Sequence, residues 1–162
     1  MTKEQLLEIS KEKKELLLGY VVEMLSEYEG VRGEMNFGFG NINNQNNCVV
    51  DIEVPEINLK SSLNMEIPME FVDVFYGELL NGFLETFLEH ETMGVSQASI
   101  NDDSFSTSVV NSNGSKVKLN FMSNKLDFSG LVQDYNRRIV DYVQDEMSNS
   151  QCESLNINHF SR

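Results

Sequence analysis

Several residue types are scarce in this chain, and their scarcity excludes some classes of protein. Its 162 residues include no Trp, two Cys and two Pro, and 12 Lys and Arg stand against 26 Asp and Glu. Two cysteines cannot form the disulfide framework of a small secreted domain, and ten glycines with two prolines exclude a collagen-like chain. A formal net charge of −14 repels a phosphate backbone, so the composition argues against direct binding of nucleic acid.

Long apolar runs are also missing. Residues 16–22 form an apolar stretch that follows a segment of mixed charge, ends at Glu23 and precedes no small-residue cleavage site. A membrane-spanning helix takes about 20 apolar residues. We therefore expect a cytoplasmic protein without a signal peptide or a membrane segment. The 18 asparagines are typical of an AT-rich gene and indicate a bacterial or phage source.

The residues that are present predict one folded domain. The length corresponds to about one domain, and 40% hydrophobic residues suffice for a core without disulfides or metal. Apolar residues three and four apart predict helices, and strict alternation predicts strands. In chain order the predicted elements are a helix at 2–28, strands at 35–39, 48–54 and 57–67, a helix at 68–93, strands at 105–109 and 117–121, and a helix that begins after Asp127 or Ser129 and ends at 147.

This order of elements predicts the fold class and the domain organisation. We expect an α+β domain over residues 1–147, with a five-stranded antiparallel sheet in the order α-β-β-β-α-β-β-α and the helices packed on the sheet. Residues 148–162 are rich in Ser and Asn and have little periodicity, which predicts a loosely ordered C-terminal tail. The Asn-rich residues 41–47 predict a polar loop, and Asn113-Gly114 predicts a hairpin turn.

The second helix has the clearest boundary signals. Proline fits the first helical turn and glycine a helix end, so we expect Pro68 to open this helix and Gly94 to end it. Gly77 and Gly82 each lower helix stability by about 1 kcal/mol relative to alanine. We therefore expect the helix backbone at these glycines to lie close against the sheet.

Negative charge is concentrated in the middle of the chain. Residues 15–115 contain 17 acidic residues and two basic ones, whereas the flanking segments are nearly balanced. A coherent acidic surface steers a basic partner and raises its association rate by about 10–10³-fold. The alternative interpretation is a surface charge that only keeps the protein soluble. The candidate partner-binding residues are Asp51 and Glu53 on the outer sheet face, Glu85, Glu89 and Glu91 on the second helix, and Asp102 and Asp103 in the following loop.

No constellation has the spacing of a catalytic or metal site. Glu85 and Glu89 have a helical ligand spacing, but His90 is five residues from Glu85 and faces elsewhere. Cys48 is expected to face the core, where a thiol is inert. We expect no enzyme activity, no cofactor and no metal ion. An enzyme assembled from scattered carboxylates is the weakest alternative.

The order of predicted elements resembles that of the type III secretion chaperones. Both have a first helix, three strands, a long central helix, a two-strand hairpin and a last helix, and the resemblance covers residues 3–147. Those chaperones are small and acidic, form dimers through the region of the central helix, and bind an extended segment of an effector protein around themselves. The resemblance is one of topology, without a shared sequence motif, and it implies protein binding without identifying a partner.

Three functions follow, in order of preference. The first is an acidic inhibitor, or an immunity or anti-defence protein, that occupies a basic surface of a partner protein such as a nucleic-acid-binding surface. The second is a dimeric chaperone-like or scaffold protein whose contacts are mostly apolar. The third is a carboxylate- or metal-dependent enzyme. Salt-sensitive complex formation, a stable homodimer and bound metal would support the first, second and third function respectively.

Overall fold

The computed structural model describes the backbone of residues 1–161 and the side chains of residues 1–148. Three helices pack against a seven-stranded mixed sheet, which confirms the α+β class. The elements are α1 (Lys3–Glu27), β1 (Arg32–Ile42), β2 (Gln45–Val54), β3 (Leu59–Pro68), α2 (Val72–Phe87), β4 (Met93–Val95), β5 (Ser99–Ile100), β6 (Ser104–Asn111), β7 (Lys116–Met122) and α3 (Ser129–Ser161), with short 3₁₀ turns at Pro55–Ile57 and Met69–Phe71.

The prediction of a five-stranded antiparallel sheet is wrong in two respects. The strand order is β3-β2-β1-β7-β6-β4, and β5 pairs with β6, so two short strands join the five predicted ones. In addition, β1 and β7 are parallel, with Arg32 opposite Lys116 and Phe37 opposite Phe121. Alternation along a strand fixes which face each side chain occupies, but it does not specify which distant strand lies alongside. The parallel pair joins the two antiparallel halves of the sheet.

The first helix forms where the sequence predicts it. Thr2 caps α1 with a capping box, because its side chain accepts a hydrogen bond from the Gln5 backbone N–H while the Gln5 side chain accepts one from the Thr2 backbone N–H. Gly30, at φ +66°, follows the helix end. The buried stripe includes Leu17, Val21 and Leu25, which face the core.

The second helix begins and ends differently from its prediction. Pro68 is the last residue of β3, and the helix starts only at Val72, after a 3₁₀ turn. Phe87 ends the helix, so Glu89 and Glu91 lie beyond it, and Gly94 lies inside β4. Proline is compatible with an edge strand as well as with a helix start, and β3 is such an edge.

The Asn-rich segment is a tight hairpin rather than a loop. Strand β1 continues to Ile42 and β2 starts at Gln45, which leaves Asn43 and Asn44 as the turn. Their φ angles are +51° and +63°, the left-handed region that asparagine tolerates better than other residues with a side chain. The asparagines thus form the turn, as their chemistry predicts, but the hydrogen-bonded pairing of β1 with β2 extends through most of residues 41–47.

Aromatic side chains on neighbouring central strands form the middle of the core. Phe37 on β1, Phe121 on β7 and Phe105 on β6 are stacked in a row, with ring centroids 4.6 Å and 4.7 Å apart. Tyr76 from α2 covers this row edge-on, 5.0 Å from Phe121, and its hydroxyl donates to the Met122 carbonyl at 3.2 Å. All four rings are at most 2% exposed, so α2 is fixed on the sheet through its aromatic face.

Gly82 allows a close approach between two helices rather than between a helix and the sheet. A Cβ atom at Gly82 would lie 2.9 Å from Leu18 Cδ1 and 3.2 Å from Lys14 Cδ, both on α1. At Gly77 the nearest atom would be Leu131 Cδ1 of α3, at 3.7 Å. The expectation that these glycines approach the sheet is therefore corrected, since their neighbours are α1 and α3.

Side chains from the β6–β7 hairpin bind the carbonyl groups at the C-terminal end of helix α1. The Asn111 and Asn113 side-chain amides donate to the Leu25 carbonyl at 2.7 Å and 2.9 Å. Asn113 also donates to the Tyr28 carbonyl at 3.3 Å, and its Oδ1 accepts from the Ser115 backbone N–H. The hairpin turn around Asn113-Gly114 is confirmed, with Gly114 at φ +92°. These amides satisfy carbonyls that a helix end otherwise leaves unpaired.

Replacing Asn113 by Ala is expected to destabilise the fold by about 1–3 kcal/mol, because partly buried carbonyl groups lose their donor. Urea unfolding followed by far-UV circular dichroism measures the change. Ser112→Ala is the matched control, since Ser112 is exposed and contributes its backbone N–H to Thr92. Equal stability of the two variants would contradict a role of Asn113 in holding the helix end.

Helix α3 begins beside Asp127, whose carboxylate accepts hydrogen bonds from the Ser129 backbone N–H and hydroxyl; these bonds lower the pKa of the Asp127 carboxyl. The helical backbone continues to Ser161, past the predicted end at Met147. The division into a domain at 1–147 and a loosely ordered tail at 148–162 stays a prediction. Cys152 and His159 belong to the segment whose side chains are outside the described part.

Candidate functional site

The seven predicted partner-binding residues are all exposed, but they lie in three separate places. Asp51 and Glu53 lie on the outer face of β2, where they alternate with the buried side chains that face the helices. Glu85 lies in the last turn of α2, and Glu89 and Glu91 follow that helix. Asp102 and Asp103 precede β6, a strand separated from β2 by β1 and β7. The fold does not bring the three groups together.

Basic residues lie among the carboxylates of the outer sheet face. One row across the sheet reads Lys60, Glu53, Glu34 and Lys118, each opposite the next on neighbouring strands. The next row toward the start of β1 pairs Arg32 with Lys116. Opposite charges side by side on a sheet partly cancel each other's field. Lys60 of β3 therefore lies next to Glu53 of β2, Lys118 of β7 lies next to Glu34 of β1, and the outer face is not uniformly negative.

Acidic residues lie near Tyr142 where α2 meets α3, and Arg138, one helical turn before Tyr142, donates to the Asn81 side chain of α2. Loss of water contact raises the pKa of the Tyr142 hydroxyl on α3, and the nearby Glu146 and Glu89 carboxylates raise it further. Glu85 lies in the last turn of α2 and precedes Glu89 by four residues. We call Glu85, Glu89, Tyr142 and Glu146 the α2–α3 acidic cluster.

The position of this cluster is unfavourable for the stability of α2. The C-terminal end of a helix carries a partial negative charge, and carboxylates near it are destabilising. The last turn of α2 contains no basic residue. Among the side chains that the structure describes, the ion pairs are Lys14 with Glu15 and Glu78, and Arg137 with Asp134, so none involves the cluster. Within that part of the chain, no ion pair neutralises the charge of the cluster.

Comparison with protein-family models, curated proteins and solved structures gives no significant match. Across the described residues, no helix is long and apolar enough to cross a membrane. No group of three or more His, Cys, Asp or Glu side chains is arranged to hold a metal ion within that same part of the chain.

Cys48 and His90, which the sequence analysis considered as reactive or metal-binding residues, occupy structural positions. Cys48 is fully buried in the core, where loss of hydration raises the pKa of its thiol to about 12. His90 lies beyond the end of α2 and is exposed, and its Nδ1 accepts a hydrogen bond from the Thr92 backbone N–H at 3.2 Å. The Cys48 thiol, with so high a pKa, is not a nucleophile at neutral pH.

An apolar groove lies between α1 and the edge strand β3, and sequence reasoning missed it. It encloses a cavity of about 270 Å³. The visible signal was Ser61, the one polar residue in the otherwise apolar odd positions of β3, which faces this space. We call this surface the α1–β3 groove. Its lining residues are Tyr20, Glu23, Met24 and Tyr28 from α1, Ile52 from β2, Ile57 from the 3₁₀ turn, and Leu59, Ser61 and Leu63 from β3.

Proposed function

We propose that this protein is a non-enzymatic acidic protein that binds a basic partner protein, as an inhibitor, immunity or anti-defence protein does. The α2–α3 acidic cluster supports the proposal more strongly than any other surface. Glu89 and Glu146 lie close enough to Tyr142 to raise the pKa of its hydroxyl, Glu85 precedes Glu89 by four residues, and no ion pair among the described side chains involves these carboxylates.

Two physical arguments favour a binding role for this cluster. Carboxylates at the C-terminal end of α2 oppose the helix dipole, so they do not serve the stability of that helix. Glu89 and Glu146 lie near the Tyr142 hydroxyl, so a guanidinium group that binds there can donate to their oxygens and contact the aromatic ring. A surface of this kind selects arginine-rich partner surfaces, including those that otherwise contact phosphate.

The overall charge supports the same function through association kinetics. With a net charge of −14, the protein attracts a cationic partner over distances of about 10 Å at 0.1 M salt. Attraction of this type increases the association rate more than the final affinity. The proposed complex therefore forms quickly at low ionic strength and more slowly as salt is added.

Neutralising the cluster is expected to weaken binding of a cationic probe by about tenfold or more at low salt, because it removes three negative charges from one region of the surface. The variant is E85Q/E89Q/E146Q, and the probe is a fluorescein-labelled peptide of alternating Arg and Ser residues. Fluorescence anisotropy at about 20 mM and 150 mM NaCl measures the affinity, and the difference between variant and parent shrinks at the higher salt.

The matched control is E34Q/D51N/E53Q, which removes the same number of charges from the outer sheet face. We expect it to weaken binding by less than about threefold, because Lys60 and Lys118 already offset the field there. Equal losses in both triple variants would contradict a specific role of the cluster. Urea unfolding confirms folding, and E85Q/E89Q/E146Q should be at least as stable as the parent since it relieves repulsion at the helix end.

A further inference from the structure

The two edges of the sheet are unequal. One edge consists of β4 and β5, which are three and two residues long. The other edge is β3, a strand of ten residues that pairs with β2 on one side only, within the described chain. Short strands are a common way to blunt a sheet edge against further pairing. Strand β3 lacks that protection over its first half.

A bulge divides β3 into a regular and an irregular part. The register with β2 shifts between the pairs Val49–Asn64 and Asn47–Pro68. Glu66 has a φ of +59° there, and its backbone N–H donates to the Asn64 side chain at 3.0 Å. Regular pairing on the free side therefore ends at this bulge. The stretch that remains regular is 59–64, and its inner side chains Leu59, Ser61 and Leu63 line the α1–β3 groove.

The groove has the chemistry of a side-chain pocket. Tyr20, Met24 and Tyr28 form its helix side, and Leu59, which is 39% exposed, forms part of its strand side. A cavity of about 270 Å³ has room for a large apolar side chain. Glu23 is the only charged residue of the lining, and Glu27 follows it by one helical turn. The groove is thus apolar with a negative rim.

We propose that the α1–β3 groove and the free edge of β3 together bind an extended segment of a partner protein. The segment adds a strand along Leu59–Leu63, places one large apolar side chain in the groove, and carries a Lys or Arg beside Glu23. Backbone hydrogen bonds to the edge give affinity, and the groove gives specificity for the apolar residue. This inference goes beyond the proposed function, because the groove and the α2–α3 acidic cluster share no residue.

Charge decides between a partner segment and a second copy of this chain. Two copies joined at β3 would bring together chains of net charge −14 each, with both Glu23 carboxylates at the joint. Repulsion of this kind disfavours association of like chains. A cation-bearing segment instead gains from the same carboxylates. The groove therefore fits a basic and apolar extended peptide.

The test uses a fluorescein-labelled probe peptide of sequence Lys-Thr-Val-Phe-Thr-Val-Lys and the full-length protein. Ser61→Phe fills the groove with the chain's own side chain and is expected to weaken binding by about tenfold or more. Ser62→Phe is the matched control, because the adjacent residue points to the opposite face of the strand, and it should change binding by less than about twofold. Glu23→Gln should weaken binding by about threefold at low salt.

Changes in the peptide test the proposal without altering the protein fold. Replacing its Phe by Ala should weaken binding by about tenfold. N-methylation at alternate residues blocks one edge of the peptide strand, so one of the two methylation registers should weaken binding by about tenfold and the other by less than about threefold. Equal binding by both registers overturns strand addition, and the absence of saturable binding to the parent protein overturns the site.

Two further outcomes separate this inference from its alternatives. A stable dimer of the parent protein in light scattering that Ser61→Phe disrupts would overturn the peptide proposal in favour of a second copy. Loss of probe binding in E85Q/E89Q/E146Q but not in Ser61→Phe would overturn the groove and leave the proposed function standing. The opposite result would support the groove, and the proposed function is then decided separately by the peptide of alternating Arg and Ser residues.

Discussion

Replacing Phe121 by Ala is expected to destabilise the protein by about 3–5 kcal/mol, the largest effect of a single substitution that we predict. Phe121 lies on the central strand β7 and stacks with Phe37 on one side and Phe105 on the other. It also contacts the ring of Tyr76 from α2. Its removal leaves a cavity bounded by three strands and one helix, which the rigid sheet cannot close.

Urea unfolding at neutral pH measures this change, with the midpoint and slope determined for the parent and for the variant. Ile100→Ala is the matched control, because Ile100 lies on the short strand β5 and is 51% exposed. We expect the control to change stability by less than about 0.5 kcal/mol. A loss of less than about 1.5 kcal/mol in Phe121→Ala would be incompatible with a closely packed aromatic row.

Raising the pH above 9 is expected to destabilise the protein through buried acids that keep their protons in the folded state. Burial raises the pKa of the Cys48 thiol and of the Tyr135 hydroxyl to about 12, and it also raises the pKa of Tyr76. In the unfolded chain the pKa is about 8.5 for Cys and about 10 for Tyr. Between the unfolded and folded pKa values only the unfolded chain releases the proton.

The sign and size of the effect follow from proton linkage. Where the folded state holds one more proton than the unfolded state, stability falls by about 1.4 kcal/mol per pH unit for each group. The contribution of Cys48 is complete below about pH 8.5 and is lost as the pH rises toward about 12. Tyr135 adds the same slope from about pH 10 upward.

Urea unfolding at several pH values between 8 and 11 tests this expectation. Cys48→Val should flatten the decline from about pH 9, whereas Tyr135→Phe should flatten it only from about pH 10. The different onset makes each variant a control for the other. If both variants declined in parallel with the parent, the buried groups would not be the source of alkaline unfolding.

Local patterns predicted most elements but not their partners. The capping box at Thr2, the alternation of β2 and the Asn113-Gly114 turn all lie where the residues indicated. The parallel contact between β1 and β7 joins residues about 84 apart, and no local pattern encodes which strand edge a distant strand meets. Strands β4 and β5 were too short to show a period.

The candidate surfaces were less predictable than the fold. Exposure of Asp51, Glu53 and Glu85 followed from their place in the pattern, but their distribution over separate faces required the packing of the sheet. Lys118 is distant in sequence from Glu34 and opposite it in space. A count of charges along the chain therefore overestimated the coherence of the acidic surface, since cations outside residues 15–115 return to it in three dimensions.

The central position of β1 has a consequence for the order in which the chain acquires its structure during synthesis. Once residues 1–68 have left the ribosome, α1, β1, β2 and β3 are available to fold, yet one side of β1 has no neighbour until β7 emerges. The amides that hold the end of α1 also come from the β6–β7 hairpin. One side of β1 therefore stays unpaired while more than 40 further residues are translated. A nascent chain with an unpaired strand edge is prone to aggregation and depends on protection by other proteins.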